Sequence, residues 1–478
     1  MMARRSKWRV GGVAALVLSL LAGCAAPPVR ELALRSEAPV GRSGATVANG
    51  EWPDAHWWRG YGDATLDALI VRAFESAPGI AAAEARLAAA RQSVMAAGAA
   101  AGAQVQASAD LSRQRLSDNG LISPEFLGFN WYNQADLGLD IRYSLDWWGR
   151  QKAAIEASVD EARAAEADKA AARLVLASAV AEAYFGWQAD QQKLVLSRQR
   201  LAAFELLTKI MGRRVEAQLD NADTLRMANY GLAAAREQLS GVEGSARLRV
   251  IVLAALVGVP EDVLPRLEAR PLPGVARQAA LPANLSMDLL GRRPDVVASR
   301  WRVEAARQGV AEARAAYYPD ISLRALAGLS SVELGSLLQA GSADPAVGLA
   351  VHLPLFDGGL RDARHGLRNA RLDAAIAAYD DAVVGAVREV AAAVSTARTL
   401  AVQREQRGAQ LDANHELLAS AESRVKAGTS DIRPQLVAAL QVNTTQESLV
   451  QTDLAALLAD IGLRRALGGG YTATEKSP

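Results

Sequence analysis

The sequence predicts a mainly α-helical protein with a transmembrane β part, arranged as two tandem repeats. Three observations indicate this fold class. One segment occurs twice, four short stretches alternate between apolar and polar residues, and long helical patterns without proline follow each pair of stretches. Alternation is typical of β-strands, whereas apolar residues spaced by three and four are typical of helices. Each repeat therefore reads as a helix, a strand, a loop, a second strand and a long helical hairpin.

The repeat is visible at one fixed spacing. Its copies begin at Pro78 and Pro294, and the residues AARQ follow each proline at the same distance. Arg86 and Arg302 also occupy equivalent positions in the two copies. Self-similarity at a fixed offset indicates two copies of one structural unit. We assign residues 78–257 to the first repeat and residues 294–467 to the second.

Composition excludes several classes of protein. Apolar residues make up 50% of the chain but aromatic residues only 5%, so alanine, a strong helix former, supplies much of the apolar content. The formal net charge of +1 offers no basic surface to nucleic acid. A single cysteine excludes an internal disulfide framework.

No pattern of residues indicates catalysis. The chain has no metal-ligand spacing, no G-x-S-x-G, no phosphate-binding loop and no dinucleotide-binding G-x-G-x-x-G. Its four histidines are scattered along the chain: His56, His352, His365 and His415. We therefore expect neither an enzyme nor a bound metal or cofactor.

The first residues predict the location. A basic head with Arg4 and Arg5 precedes an apolar run at residues 10–21, and the sequence L-A-G-C then ends at Cys24. This order is typical of a secretory signal peptide, here residues 1–23. L-A-G-C resembles a bacterial lipobox, whose cysteine becomes the lipidated first residue and carries acyl chains such as palmitate. Ala25, rather than aspartate, resembles the outer-membrane form of this signal. The alternative is a free cysteine in an ordinary signal sequence.

A tether and a short helix occupy residues 24–77. Residues 25–49 are rich in Pro, Ser, Gly and Ala and show no periodicity, which predicts an extended tether. Three tryptophans between residues 52 and 58 indicate a docked segment. Asp63 or Thr65 can cap a short helix that ends at Ser76.

Four stretches with a period of two are predicted as strands: residues 104–114, 135–146, 320–329 and 346–356. Each has an apolar face opposite a polar one, as transmembrane β-strands do. Aromatic residues lie near the strand ends, as at membrane interfaces. They are Trp131, Tyr132, Trp147, Trp148, Tyr317, Tyr318 and Phe356. The alternative is a soluble sandwich with one buried face.

Four strands are too few to close a barrel. An open edge in lipid leaves backbone donors and acceptors unpaired, at a cost of several kcal/mol for each group. Other chains must then complete the sheet, so the sequence predicts an oligomer whose barrel is shared between subunits. The loops at residues 113–133 and 330–344 would be extracellular.

Long helical hairpins follow each pair of strands. Their four predicted helices cover about residues 150–210, 224–257, 360–426 and 435–467. At 1.5 Å per residue the first helix is about 90 Å long. A proline-rich linker, residues 258–293, separates the repeats, and a Gly-rich and then polar tail occupies residues 468–478.

The hairpin turns bear charged side chains that could converge near the axis of a helical barrel. They are Asp220, Asp223, Asp431, Arg214, Arg424 and Arg433. Carboxylates related by symmetry would repel one another, and arginine on a neighbouring helix would hold the turns together. We hypothesise that Asp431 and Arg424 hold the closed end of a channel. The alternative is a pair of solvated turns, where aspartate is an ordinary residue.

Three segments resemble the outer-membrane efflux protein family, the TolC-like channels, and within it the NodT-type lipoproteins. They are WWRGYGDATLDALI from Trp57, RRPDVVASRWRVEAARQGVAEARAAYYPDISL from Arg292, and LPLFDGGLRDA from Leu353. The resemblance implies a homotrimer in the bacterial outer membrane, lipid-anchored, whose twelve-stranded β-barrel is continuous with a long α-helical barrel in the periplasm.

The resemblance also implies a function. It is a passive exit duct for drugs or small toxic compounds, which works with a periplasmic adaptor and an inner-membrane pump of the resistance-nodulation-division type. Alternatives are the duct of a type I protein secretion system and a non-transporting envelope scaffold.

The chain departs from the family pattern at three positions. Ala77 precedes the first repeat's proline where Asn is common, Gln218 stands in the first turn where Gly is frequent, and Val437 stands near the second turn where Asp is frequent. The family's rule for a gating carboxylate therefore does not transfer directly to this chain.

Overall fold

The computed structural model of the chain describes residues 26–28, 34–35, 37–39, 50–119, 124–274, 281–282 and 285–473. The predicted signal peptide, Cys24, most of the predicted tether and residues 474–478 lie outside the described residues.

The described chain is mostly helical, and its elements follow the repeat. In order they are α1 (Ala64–Ser76), α2 (Pro78–Ala101), β1 (Gln104–Arg115), α3 (Pro124–Leu127), β2 (Trp131–Leu145), α4 (Arg150–Glu216), α5 (Ala222–Val257), α6 (Leu285–Arg292), α7 (Pro294–Ala315), β3 (Asp320–Ser331), β4 (Ala343–His352), α8 (Leu360–Lys426) and α9 (Arg433–Ala466). Each repeat opens with a proline in the first turn of a helix, where its missing N–H is tolerated. The two long helices α4 and α8 have the same length, 67 residues.

The four strands form one antiparallel sheet in the order β1-β2-β3-β4. Each strand therefore pairs with its neighbours in sequence, and in the described chain β1 and β4 have a paired strand on one side only. The sheet has two open edges whose backbone groups are free to pair with further strands.

β1 and β3 lie within two residues of their predicted spans, and the other two strands differ by more. β2 begins at Trp131, four residues before the expected start, because Trp131 and Tyr132 still pair with Arg115 and Gln114 of β1. β4 covers residues 343–352 rather than 346–356. Its pairing ends at His352, because this residue lies opposite the first residue of β3. Pro354, two residues later, has no N–H and so cannot donate a further hydrogen bond to the sheet.

The two faces of the sheet differ in polarity. Pairing joins odd-numbered residues to odd-numbered residues in all four strands, so Val105, Ile141, Leu323 and Val347 share one face. These four residues are all exposed, from 37% for Ile141 to 80% for Val347. The even-numbered face carries most of the charged residues of the strands. An apolar face left open by the chain fits contact with lipid.

The described residues group into two compact units. The first contains the sheet and combines residues 87–164 with residues 299–378. The second combines residues 35–86, 165–298 and the chain from residue 379 onward. The units do not coincide with the repeats, because each unit takes segments from both.

The hydrophobic core of the second unit is built from helices that are far apart in sequence. Its fully buried side chains come from α1, α4, α5 and α9 and include Leu66, Leu69, Ile70, Tyr184, Phe185, Leu253, Val257, Leu457 and Ile461. Burial of each such side chain contributes about 1.5–3 kcal/mol.

Asp63 caps α1 and ties it to this core. One carboxylate oxygen accepts from the N–H groups of Thr65 and Leu66 at 2.9 and 3.2 Å, as an N-cap does. The other oxygen accepts from the Tyr184 hydroxyl at 2.8 Å. Burial raises the pKa of Tyr184 to about 12, so the phenol remains a donor at physiological pH.

The described parts of the predicted tether are docked. In the first unit, Arg314 Nε donates to the Pro27 carbonyl at 2.8 Å. In the second unit, the Arg35 carbonyl accepts from the Tyr379 hydroxyl at 3.0 Å, and the Arg35 guanidinium pairs with Asp380 at 2.9 Å. These polar contacts fix the path of a segment that has no periodicity of its own.

None of the helices in the described ranges is both long enough and apolar enough to cross a membrane.

Candidate functional site: the hairpin turns

The turn of the first hairpin connects α4 to α5. Gln218 adopts the left-handed conformation, φ 60°, which costs a residue with a Cβ about 1 kcal/mol or more. The Leu219 N–H donates to the Arg214 carbonyl at 2.8 Å, and the Asn221 side chain caps α5 by accepting from the Thr224 N–H at 3.1 Å. The backbone of this turn is therefore held at both ends by hydrogen bonds.

The second hairpin turns between α8 and α9. Here Gly428 takes the left-handed position at φ 69°, without the steric cost that Gln218 bears. The Thr429 N–H donates to the Arg424 carbonyl at 3.0 Å. The two turns thus have the same local geometry with different residues at the left-handed position.

Asp431 pairs with Arg433 across the start of α9. Its carboxylate accepts from the Arg433 N–H at 2.9 Å and from guanidinium Nη2 at 2.6 Å. The Arg433 side chain holds the pKa of Asp431 below its ordinary value, chiefly through this hydrogen bond. The partner that the structure gives Asp431 is therefore Arg433 and not Arg424, because Arg433 follows two residues later and its guanidinium reaches back over the turn.

Asp220 joins the two turns. Its carboxylate accepts from Arg214 Nε at 2.5 Å, within its own hairpin, and lies 3.6 Å from Nη1 of Arg433 in the other hairpin. Arg214, Asp220, Arg433 and Asp431 thus form a continuous chain of alternating charge, which we call the tip network. Arg433 is shared between a carboxylate of each hairpin.

The other two charged residues singled out in the sequence lie outside this network. Asp223 pairs with Arg226 one helical turn later, and both side chains are exposed. Arg424 contributes its backbone carbonyl to the second turn. An exposed pair such as Asp223–Arg226 contributes about 0.2–1 kcal/mol to stability. The tip network differs because it is half-buried and because the Asp220 carboxylate connects the two hairpins.

The aromatic residues predicted for the membrane interface fall into two groups. Trp131 and Tyr132 open β2, where the Tyr132 hydroxyl donates to Gln114 at 2.8 Å. Trp148 stacks on Tyr318 with ring centroids 4.6 Å apart, and its indole N–H donates to the Pro319 carbonyl at 2.9 Å. Trp147 is exposed, and Phe356 is 91% exposed. These six rings remain candidates for an interfacial belt.

Tyr317 differs from the others. It is 8% exposed, and its hydroxyl donates to the Asp362 carboxylate at 2.6 Å. Arg361 lies over its ring at 5.5 Å from the centroid. Tyr317 is thus a packing residue that joins α7 to the start of α8. The sequence places it beside Tyr318, but two adjacent residues after a helix point in different directions, and Tyr318 stacks on Trp148 instead of packing against α8.

Two buried polar residues carry contacts that sequence reasoning missed. The Arg293 guanidinium is almost fully buried and pairs with Asp295 at 2.6 Å and Glu389 at 2.7 Å, so it joins the start of α7 to α8. The Gln188 side-chain amide donates to the Glu268 carbonyl at 2.9 Å and accepts from a backbone N–H in the linker. The RRPD segment is a sequence signal that could have pointed to Arg293. Gln188 is a lone glutamine in a long helix, and the sequence around it gives no such signal.

Within the described residues, no group of three or more His, Cys, Asp or Glu side chains is arranged to hold a metal ion. The chain combines a four-stranded sheet with an open apolar face and two long helical hairpins joined at their turns by the tip network. These features define an outer-membrane channel protein of mixed α and β structure.

The chain belongs to the outer membrane efflux protein family. The model of this family, "Outer membrane efflux protein", matches the chain twice, at residues 69–259 and 285–469. The protein is accordingly an outer-membrane efflux channel protein.

Two curated relatives cover nearly the whole chain. It is 33% identical to "Multidrug resistance outer membrane protein MdtP" of Escherichia coli (strain K12) over 434 residues, 89% of this chain and 88% of that protein. It is 31% identical to "Multidrug resistance outer membrane protein MdtQ" of Escherichia coli O6:H1 over 486 residues, 95% of this chain and 97% of that protein.

Solved structures have the same fold. The outer membrane protein VceC from Vibrio cholerae matches with a TM-score of 0.79 and 30% identity, covering 88% of this chain and 100% of that chain. The Campylobacter jejuni CmeC outer membrane channel matches with a TM-score of 0.84 at 19% identity, covering 94% and 96%.

Proposed function

We propose that three copies of the chain, each anchored by a lipidated Cys24, form the outer-membrane duct of a tripartite efflux system for drugs or small toxic compounds. A periplasmic adaptor and an inner-membrane pump of the resistance-nodulation-division type would supply the substrate and the energy. The observation that carries the proposal is the four-stranded sheet with an exposed apolar face and two open edges.

The open edges are the physical reason for an oligomer. In lipid, each unpaired backbone group at the edges of β1 and β4 would cost several kcal/mol. Pairing β1 of one copy with β4 of the next removes both edges when the ring closes. Three copies then give twelve strands, the number that the family resemblance implies.

The two faces of the sheet support a conduit. In a closed ring the apolar face, with Val105 and Val347, meets lipid, and the even-numbered face, with Asp136 and Arg324, lines a wet interior. A scaffold that transports nothing has no need of a polar interior face.

The hairpin turns supply the gate of this conduit. The tip network is half-buried, and Arg433 spans the two hairpins of one chain through Asp220 and Asp431. Opening the end of a helical barrel requires neighbouring helices to separate, so contacts that join hairpins favour the closed state.

The substrate class is carried by the relatives. MdtP and MdtQ are both named as multidrug resistance proteins, and the chain spans most of the length of each. Small toxic compounds are therefore the proposed cargo.

The experiment is reconstitution of the mature, lipidated protein in planar bilayers, together with cross-linking in detergent. We expect discrete ion-conducting steps and a cross-linked trimer. A folded monomer, or a trimer that never conducts, would contradict the proposal and favour the scaffold. Drug accumulation in cells that express the chain with and without a cognate adaptor and pump then tests the cargo, and equal accumulation would argue against small-compound efflux.

A further inference from the structure

We propose that the polar face of the sheet is a two-band electrostatic filter. Arg142 and Arg324 form a cationic band, and Asp110 and Asp136 form an acidic band. The proposal rests on the proposed function, since a filter requires that this face line a conduit.

The bands follow from the strand register. Arg142 of β2 lies directly opposite Arg324 of β3, and Asp136 of β2 lies directly opposite Asp110 of β1. Like charges in directly opposed positions destabilise a sheet. The chain contains one such pair of each sign on the same face. Each of these pairs lowers the stability of the sheet. An electrostatic effect on charged solutes in the lumen accounts for the presence of both pairs.

The cationic band keeps a net positive charge. Its register row reads Gln104, Arg142, Arg324 and Gly348 across the four strands. Arg142 pairs with Asp140 on its own strand. Arg324 is exposed, and within the described part of the chain no carboxylate forms an ion pair with it. Arg324 therefore places one unpaired positive charge per chain in this register row, and Asp320, four residues earlier on the same face of β3, is the carboxylate of that strand.

The acidic band keeps its negative charge. The Asp136 carboxylate accepts from Gln134 Nε2 at 2.8 Å and from Ser330 Oγ at 2.7 Å, and both donors are neutral. Asp110 is exposed, and no cation among the described residues forms an ion pair with it. Asp344 lies opposite Gly328 on the same face and adds a further carboxylate near this level.

The two bands are separated along the strands, by six residues or about 20 Å on β2. The cationic band is near the ends that connect to α2 and α4, and the acidic band is nearer the loop between β1 and β2. A small cation meets repulsion at the first band and a small anion at the second. A solute with separated charges of both signs can place its negative group at the cationic band and its positive group at the acidic band. The filter therefore favours amphoteric compounds over simple ions.

The test measures ion selectivity with single substitutions. Arg324→Gln and Asp110→Asn each remove one charge and leave the Arg142–Asp140 pair and the Asp136 hydrogen bonds intact. The reversal potential in a KCl gradient across a planar bilayer gives the permeability ratio of K⁺ to Cl⁻. We expect Arg324→Gln to raise this ratio and Asp110→Asn to lower it, each by at least about twofold, because one charge about 8 Å from an ion in water has about that effect and each substitution removes one charge from every copy.

Arg113→Gln is the matched control. Arg113 lies on the opposite, odd-numbered face of β1, with its guanidinium 5.6 Å from the centroid of the Trp131 ring. Its removal should leave the ratio unchanged, and the charge-conserving Arg324→Lys should behave as the parent does. Unchanged ratios in both band variants, with normal conducting steps, would overturn the filter and leave the conduit standing. Absence of any conduction in the parent would overturn both.

Salt dependence provides a test that needs no variant. Raising the ionic strength from 0.1 to 1 M shortens the Debye length from about 10 to about 3 Å. The filter predicts that the K⁺-to-Cl⁻ permeability ratio of the unmodified protein then approaches the ratio of the mobilities of these ions in free solution. A ratio that stays away from that value at high salt would contradict an electrostatic origin, even if Arg324→Gln failed to assemble.

Discussion

At the scale of single residues, the tip network depends on Asp220. Its carboxylate receives Arg214 from one hairpin and Arg433 from the other, and no second carboxylate in the described turns is shared in this way. Arg433 in turn keeps Asp431 ionised through a hydrogen bond. Loss of the Asp220 charge would leave each arginine paired only within its own hairpin or exposed to solvent.

We predict that Asp220→Asn raises the mean single-channel conductance or the open fraction in planar bilayers. Loss of one pair in a half-buried network removes about 1 kcal/mol from the closed state, a change of about fivefold in an opening equilibrium. Asp223→Asn is the control, because Asp223 pairs only with the exposed Arg226. Equal behaviour of the two variants would mean that the network does not hold the gate.

Acid should have a similar effect through Asp431. Its pKa is lowered in the folded tip, so its pairing is complete above the ordinary value of 3.8 and is lost as the pH falls below that value. We therefore expect conductance to be steady from pH 7 to pH 5 and to rise towards pH 3. Asp431→Asn should remove most of the rise, and an increase confined to pH 5–7 would point to another group.

At the scale of elements, the first hairpin is built on a close approach of its two helices. A Cβ at Gly231 of α5 would lie 2.3 Å from Cε1 of Phe204 in α4, so the glycine allows the ring to pack on the backbone. At Gly241, further along α5, a Cβ would meet no atom of another element of the described chain within 4 Å. Of these two glycines, Gly231 is the one whose missing side chain makes room for a residue of the other helix.

We predict that Gly231→Ala destabilises the hairpin by about 1–3 kcal/mol, the usual cost of overpacking, despite the better helix propensity of alanine. Gly241→Ala is the matched control and should leave the stability of the chain unchanged or raise it by up to about 1 kcal/mol. Hydrogen exchange of the amides in α4 and α5 reports the difference. Equal protection in both variants would contradict the close approach.

At the scale of the whole molecule, described residues soon after the predicted lipidation site are docked onto the helices of each unit. Pro27 and Arg35 are held by polar contacts to α7 and α8, downstream of the predicted lipidation site. We therefore expect both units to keep their packing without the proposed anchor, whose role would be to position the amino terminus at the membrane.

We predict that Cys24→Ser abolishes incorporation of labelled palmitate, because Cys24 is the only cysteine of the chain. The variant should still fold with the helical content of the parent, measured by circular dichroism. Labelling that persists in the variant would show that the lipobox resemblance is misleading.

Much of the fold could be predicted from sequence because period and capping are local properties. The alternation at residues 104–114 predicted β1 to within one residue, and Asp63 was one of two candidates for the cap of α1, which the structure assigns to Asp63. The site was less accessible. Four of the six charged tip residues form the network, but no local pattern indicated that Arg433 pairs with Asp431, because the reach of Arg433 over the turn depends on the backbone path.

The sequence by itself determined the repeat, the order of helices and strands, and the two faces of the sheet, since each follows from the spacing of side chains along one stretch of backbone. Only the tertiary structure decided which distant residues meet. It buried Tyr317, joined both hairpins through Asp220, brought like charges into opposed positions on the sheet, and mixed the two repeats in each compact unit. Such contacts depend on strand register and helix packing, which no local pattern of residues fixes.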